Sequence, residues 1–269
     1  VGEVNLFYVE AGQGECLLLI MGLGGDHLAW AFQLAAFATR CRVIAFDNRG
    51  AGQSDAPDVA YTTRLMAEDT LGLMDALGIA RADVLGVSMG GMIAQELALA
   101  APHRVRSLHL GCTLARPDPF LRAVVAAWRE VRGRLDRATA LRAMAPWLFA
   151  RTTYHERADF VERLLATALT HPFPQSLTGF LRQVEAVLGH DTRDRLAEIR
   201  CPTLVSVGAE DVLVGPGLAR ELAAAIPGAA LEVVPEAGHV YFWERPEVFN
   251  ALHLEFLDRV ERRRAPGTS

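Results

Sequence analysis

The sequence predicts an α/β fold: a mostly parallel sheet with helices on both faces. Three features predict it. Short apolar runs recur at 16–21, 42–46, 82–87, 105–110, 203–207 and 230–234, each too brief for a helix. Their apolarity is continuous rather than alternating, as expected of strands covered on both faces. Helical segments lie between several of these runs, and strand–helix alternation builds parallel sheets.

Taken in chain order, residues 1–15 read as a β-hairpin, from Val4, Leu6 and Tyr8 and the turn-like Ala11-Gly12-Gln13-Gly14. The expected sheet has eight strands. Segment 63–77 places Leu65, Met66, Leu73 and Leu77 on one side and ends at Gly78, a C-cap residue. Segment 89–100 is apolar nearly all round, which suits a helix buried against a sheet. Segments 216–225 and 246–260 read as helices with prolines at their starts. The pattern breaks between 114 and 200. That stretch is helical throughout and arginine-rich, punctuated by Pro117, Pro119, Pro146, Pro172 and Pro174. The expected organisation is a core in two parts, 1–113 and 201–269, interrupted by a helical insertion over 114–200.

Composition narrows the function. The 269 residues are 51% apolar, which suits one large core with an inserted subdomain. No apolar run reaches the ~18–20 residues that cross a bilayer. The first residues lack the layout of a secretory signal, although a signal removed earlier stays open. The net charge of −5 carries no nucleic-acid footprint, which needs a concentrated basic face. All 27 basic residues are arginine, so Schiff-base and pyridoxal-phosphate chemistry, which need a lysine amine, are excluded. Cys16, Cys41, Cys112 and Cys201 show no CxxC spacing. They read as core residues of a reducing, cytoplasmic compartment rather than as disulfide or metal ligands.

The strongest chemical signal is Gly86-Val87-Ser88-Met89-Gly90-Gly91, between a strand and a helix. This is the context of a nucleophile elbow, with Ser88 as nucleophile. Side chains at 86 and 90 would collide with neighbouring backbone, and the helix N-terminus supplies free N–H groups. An oxyanion hole needs two such donors. Met89 N–H, directly after the nucleophile, is one candidate. Leu23 N–H is the other, from the glycine-rich loop Met21-Gly22-Leu23-Gly24-Gly25-Asp26-His27 after the 16–21 strand.

Position selects His239 from eight histidines: it follows the 230–234 strand and the turn Pro235-Glu236-Ala237-Gly238. Its acid is Asp211, in Gly208-Ala209-Glu210-Asp211 after the 203–207 strand, with Glu210 as rival. The order Ser, Asp, His is the one this architecture uses. The segment 46–55, with Asp47, Asn48 and Arg49, is dense in turn formers and reads as structural.

Together these residues resemble the α/β-hydrolases, and in particular the 3-oxoadipate enol-lactonase-like esterases and lactonases. The likeness rests on Gly22-Leu23-Gly24 with Trp30, Asp47-Asn48-Arg49-Gly50 through Ser54, Gly86 to Gly91 with Ile93-Ala94-Gln95, Gly208 to Asp211, and Gly238-His239. Met21 and Ala51 stand where many relatives carry histidine; neither change removes a catalytic group. The resemblance implies hydrolysis of a carboxylic ester or lactone through an acyl-enzyme, with no metal or organic cofactor. It also implies that the insertion caps the active site. Candidate substrate contacts are Gly22, Gly24, His27, Trp128, Trp147, Phe149 and Val240, although most insertion aromatics read equally well as packing. Expected partners are a small-molecule ester or lactone, with no nucleic acid and no membrane; a homo-oligomer is left open. Carbon–carbon bond hydrolysis and cofactor-free perhydrolysis share the triad. A non-catalytic small-ligand receptor shares the fold.

Overall fold

A computed structural model of the chain describes residues 4–264. In order, the elements are β1 (Tyr8–Ala11), β2 (Cys16–Ile20), α1 (Ala31–Ala38), β3 (Arg42–Phe46), α2 (Thr63–Ala76), β4 (Ala82–Val87), α3 (Met89–Ala100) and β5 (Val105–Gly111). Four helices follow: α4 (Pro119–Arg134), α5 (Arg137–Met144), α6 (Arg151–Leu169) and α7 (Leu177–Gly189). The chain then returns to the sheet with β6 (Thr203–Gly208), α8 (Gly215–Ala225), β7 (Ala230–Val234), α9 (Tyr241–Glu244) and α10 (Pro246–Arg264).

The sheet order is β1-β3-β2-β4-β5-β6-β7. Only β1 runs antiparallel, pairing Tyr8 with Phe46 and Ala11 with Val43. The fold class is as expected, but the described residues form seven strands, not eight, and the hairpin is not there. Residues 1–3 lie outside the described residues, and Val4 to Phe7 form no strand. The strand that does form pairs with β3, which lies between β1 and β2. The turn glycines carry the chain across the start of β3. A Cβ on Gly12 would sit 2.3 Å from Cys41 O, and its φ is +76°, so glycine is required there.

Side-chain alternation divides the core into two faces. Leu18, Ile20, Ile44, Phe46 and Val84 join one buried cluster with residues of α2, α3 and α8. Leu17, Leu19, Val43, Ala45 and Leu85 join the other with Phe37 of α1 and Phe249 and Leu257 of α10. Strand β7 departs from the two-sided expectation: it is an edge strand, and only Val234 is buried. Helix α2 begins at Thr62, whose hydroxyl accepts Leu65 N–H at 3.0 Å, and is followed by Gly78 at φ +65°. Asp118, Asp136 and Ser176 cap α4, α5 and α7 in the same way, each worth about 1 kcal/mol.

The helices between β5 and β6 are anchored to both faces. Val124, Val125 and Trp128 of α4 and Phe180, Val184 and Val187 of α7 share the first cluster. Ala145, Phe149, Val161 and Leu165 share the second. Among the described residues, no helix is long and apolar enough to cross a membrane.

Candidate active site

The turn from β4 into α3 holds Ser88 at φ +55°, ψ −122°, a conformation that costs a non-glycine residue of order 1–3 kcal/mol. Tight packing holds it there. A Cβ on Gly90 would lie 2.0 Å from Ile20 O, and one on Gly86 2.3 Å from Gly90 O. Ser88 N–H donates to Gly111 O at 2.8 Å, and Ser88 O accepts from Thr113 Oγ1 at 2.8 Å. The side chain is half-buried.

His239 lies in the loop between β7 and α9, and its Nε2 is 2.9 Å from Ser88 Oγ. Its Nδ1 is 2.9 Å from Asp211 Oδ2. Asp211 follows β6 and is itself fixed: its Oδ1 accepts Leu213 N–H at 2.8 Å and Val214 N–H at 3.0 Å. Carboxylate, imidazole and hydroxyl therefore form one hydrogen-bonded row, with Asp211 4% and His239 6% exposed. The rival Glu210 turns away. It accepts Thr152 N–H at 3.1 Å and the Thr152 hydroxyl, and these bonds hold its pKa below the usual glutamate range.

The loop after β2 lies against this row. A Cβ on Gly22 would be 3.0 Å from Ser88 Cβ and 3.6 Å from Ser88 Oγ, so a side chain there would crowd Ser88. Gly25 N–H donates to Gly22 O at 3.3 Å, closing a turn over Leu23 and Gly24, with Gly24 at φ +79°. Leu23 N–H and Met89 N–H donate to no group of the described residues.

The other expected contacts are placed as follows. His27 opens a short 3₁₀ segment (His27–Trp30); its Nδ1 is 2.7 Å from Asp47 Oδ1, so the ring serves the loop rather than the nucleophile. Trp128 is buried between α4 and α7, with its indole N–H unpartnered. Trp147 packs on Phe120 at 6.0 Å, and Phe149 on Tyr154 at 6.3 Å. Val240 is buried, its N–H donating to Leu148 O at 3.1 Å.

Asp47 and Arg49 are structural here. Asp47 accepts His27 N–H at 2.7 Å and Gln53 N–H at 2.8 Å, and Arg49 pairs with buried Asp69. Asn48 Nδ2 donates to Met21 O at 2.8 Å, tying this loop to the glycine loop. Asp26, His27 and Asp47 bring ligand-type atoms within 4.8 Å of one another, but these carboxylates already accept protein donors. All four cysteines are free. Burial raises Cys112 and pushes Cys16, Cys41 and Cys201 up to about 11, so none offers a thiolate at neutral pH.

Two sets of residues escaped the sequence. Glu244 is 1% exposed, and its carboxylate accepts Ala150 N–H at 2.8 Å and Gly238 N–H at 2.6 Å. One signal existed: an acidic residue directly closing the aromatic run Tyr241-Phe242-Trp243. Gln183 on α7 and Gln175 just before it join the segment between β5 and β6 to the glycine loop and to the Arg49-Gly50 loop, and no local pattern marks them.

Residues 15–246 match the family described as the alpha/beta hydrolase fold. The chain belongs to the α/β hydrolase family. This α/β hydrolase is 36% identical to RutD of Azorhizobium caulinodans, provisionally named a carbamate hydrolase, over 97% of this chain and 98% of that protein. Among solved structures, it is similar to the enol-lactonase of Burkholderia xenovorans, with TM-score 0.87 and 30% identity over 96% of this chain and 98% of that one. BpoC of Mycobacterium tuberculosis, provisionally named a non-heme bromoperoxidase, superposes with TM-score 0.87 at 35% identity, over 95% of this chain and 96% of that one.

Proposed function

We propose that this α/β hydrolase cleaves carboxylic esters or lactones through a Ser88–His239–Asp211 triad. The observation that carries the reading is the continuous row from Asp211 Oδ2 through His239 to Ser88 Oγ, with both gaps at 2.9 Å. His239 Nε2 takes the Ser88 proton as Oγ attacks the carbonyl carbon. The carbonyl oxygen becomes an oxyanion, held by Leu23 and Met89 N–H, whose freedom from other partners suits that task. His239 then protonates the leaving alkoxide, and the acyl group stays on Ser88. Water, deprotonated by His239, attacks this ester, and collapse returns the acid and free Ser88. Asp211 accepts a hydrogen bond from Nδ1–H throughout and stabilises the imidazolium. The helices between β5 and β6 act as a cap whose inner face sets the substrate, a small molecule.

Similarity to an enol-lactonase supports this substrate class. Similarity to RutD makes a carbamate carbonyl the next substrate to try. Similarity to BpoC favours a second reading, perhydrolysis, in which peroxide replaces water in the second step. The test is a panel of p-nitrophenyl acetate, aliphatic lactones, an aryl carbamate, and acetate with peroxide. Hydrolysis that falls by about 10⁴-fold or more in Ser88→Ala is expected. Ligand binding without turnover would replace the enzyme reading with a receptor.

A further inference from the structure

We infer that Gln183, on inserted helix α7, is a positioning residue for the oxyanion donor on Leu23. The inference rests on the proposed hydrolytic site and deepens it. Gln183 has no exposed surface. Its Oε1 accepts Gly24 N–H at 3.1 Å, and its Nε2 donates to Arg49 O at 2.9 Å. Gln175 Nε2 donates to the same Oε1 at 2.9 Å and to Gly50 O at 2.8 Å. Its oxygen thus accepts two hydrogen bonds and its NH₂ group donates one, and one of these bonds ends on the glycine loop.

That bond falls on a peptide able to turn over. In the Gly22–Gly25 turn, the Gly22 carbonyl points inward to Gly25 N–H. A trans peptide then directs Leu23 N–H the opposite way, out of the turn. The next peptide, between Leu23 and Gly24, is the soft one. Glycine tolerates both signs of φ, so rotation about Leu23 ψ and Gly24 φ can invert it; Leu23 N–H belongs to the peptide before it, which moves only as the turn moves. From the core side, the loop is held at its two ends, by Asn48 at Met21 O and by Asp47 at His27 N–H. Gln183 pins the inverting peptide itself by its N–H. Nearby, Asp26 Oδ2 meets His171 Nε2 at 3.1 Å, a second tie from the inserted segment, but at the far end of the loop. Gln183 therefore anchors the turn directly beyond Leu23, and with it the place from which Leu23 N–H meets a developing charge.

The functional consequence is specific. A group that orients an oxyanion donor acts on the tetrahedral state and little on the ground-state complex. Misplacement of a donor by about 1 Å costs on the order of 10²-fold. In Gln183→Met, which keeps length and burial without the amide, kcat on p-nitrophenyl acetate should fall about 10–100-fold with KM within about 3-fold. Affinity for a trifluoromethyl ketone, whose serine adduct carries the oxyanion, should fall by the same factor. Inhibition by acetate and the pH midpoint of the rate profile should stay as in the wild type.

Gln183→Asn, one methylene shorter, withdraws the amide while keeping polarity, and carries the same test if the methionine variant does not fold. Gln183→Glu, as the neutral acid, restores an acceptor for Gly24 and a donor for Arg49, and should recover most of the lost rate. A folded Gln183→Met or Gln183→Asn with wild-type kcat overturns the inference. So does a loss expressed in KM, with ketone affinity unchanged. Fluorophosphonate labelling of the wild type keeps the two readings apart. A wild type that takes no label and turns over no ester removes the site reading and this inference together. A labelled, active wild type beside an unaffected variant removes the inference alone.

Discussion

Replacing Glu244 by alanine takes a buried carboxylate away from two backbone donors that have no alternative partner. Ala150 N–H lies at the start of α6, and Gly238 N–H lies next to His239. The two segments are packed so closely that a Cβ on Gly238 would sit 2.5 Å from Ala150 N, leaving little space for water to enter. A hydrogen bond to a charged group contributes about 1.5–3 kcal/mol, so the pair is worth about 3–6 kcal/mol. Relief of the carboxylate's own desolvation offsets part of the loss. The expected net cost is about 3–4 kcal/mol, read from urea unfolding at 25 °C, with a fall in Tm of about 10 °C. Glu244→Gln keeps one acceptor and turns an NH₂ group toward the other donor, so it should cost about half as much. Because Gly238 precedes His239, the alanine variant should also lose kcat beyond what its unfolded fraction explains. A Glu244→Ala protein within about 1 kcal/mol of wild type, or a glutamine variant equal to wild type, would refute the reasoning.

Three further outcomes are expected. In Asp211→Asn the side-chain oxygen must stay on the Leu213 and Val214 N–H groups, so the NH₂ faces His239 Nδ1 and forces the proton onto Nε2. With that tautomer kcat should fall by about 10⁴-fold, whereas Glu210→Gln, which touches Thr152 and not His239, should stay within about 10-fold; equal losses in steady-state assays would reassign the acid. Gly90→Ala, with its clash on Ile20 O, should cost about 3 kcal/mol or more, while Gly133→Ala, open around its Cβ, should gain up to about 1 kcal/mol; chemical denaturation ranks the two. Burial lowers His190 to about 4 and His253 to about 3, and lowers His109 as well. These rings stay neutral when folded but protonate when unfolded below the ordinary value near 6.5. Their contribution to stability is therefore full above that pH and is lost as pH falls toward the folded values, by about 1.4 kcal/mol per pH unit per ring; a stability flat from pH 7 to 5 would contradict it.

What was legible in the sequence was whatever local sterics dictate. Gly86 and Gly90 announce the Ser88 turn because the clash they avoid is with backbone a few residues away or on the adjacent strand. Long-range choices were less visible. Tyr8 and its neighbours show a strand, but nothing local says that β3 rather than β2 is the partner. Glu210 and Asp211 are adjacent carboxylates of similar chemistry. Only the turn that donates Leu213 and Val214 N–H to Asp211, and Thr152 to Glu210, separates them. Gln183 is 159 residues from Gly24, and a helical glutamine facing inward has the same sequence signature as one facing water.

These long-range contacts follow from one property of the sheet. In a parallel sheet every loop after a strand emerges at the same edge. The glycine loop follows β2, Asp47 follows β3, Ser88 follows β4, Asp211 follows β6 and His239 follows β7. The inserted helices leave from β5 and so begin at that edge too. They touch the loops that emerge there, and each contact is a specific one: Gln183 to Gly24, Gln175 to Gly50, Thr152 to Glu210, and Ala150 through Glu244 to Gly238. Three of these loops therefore take hydrogen bonds from the segment between β5 and β6, and the fourth shares with it the acceptor Glu244 of α9. An exchange of the helices between β5 and β6 for those of a relative removes these contacts. Unless Gln183, Gln175, Thr152 and the Leu148 carbonyl that accepts Val240 N–H are reproduced, the loops that hold Leu23 and His239 are released, and the proposed hydrolysis should slow.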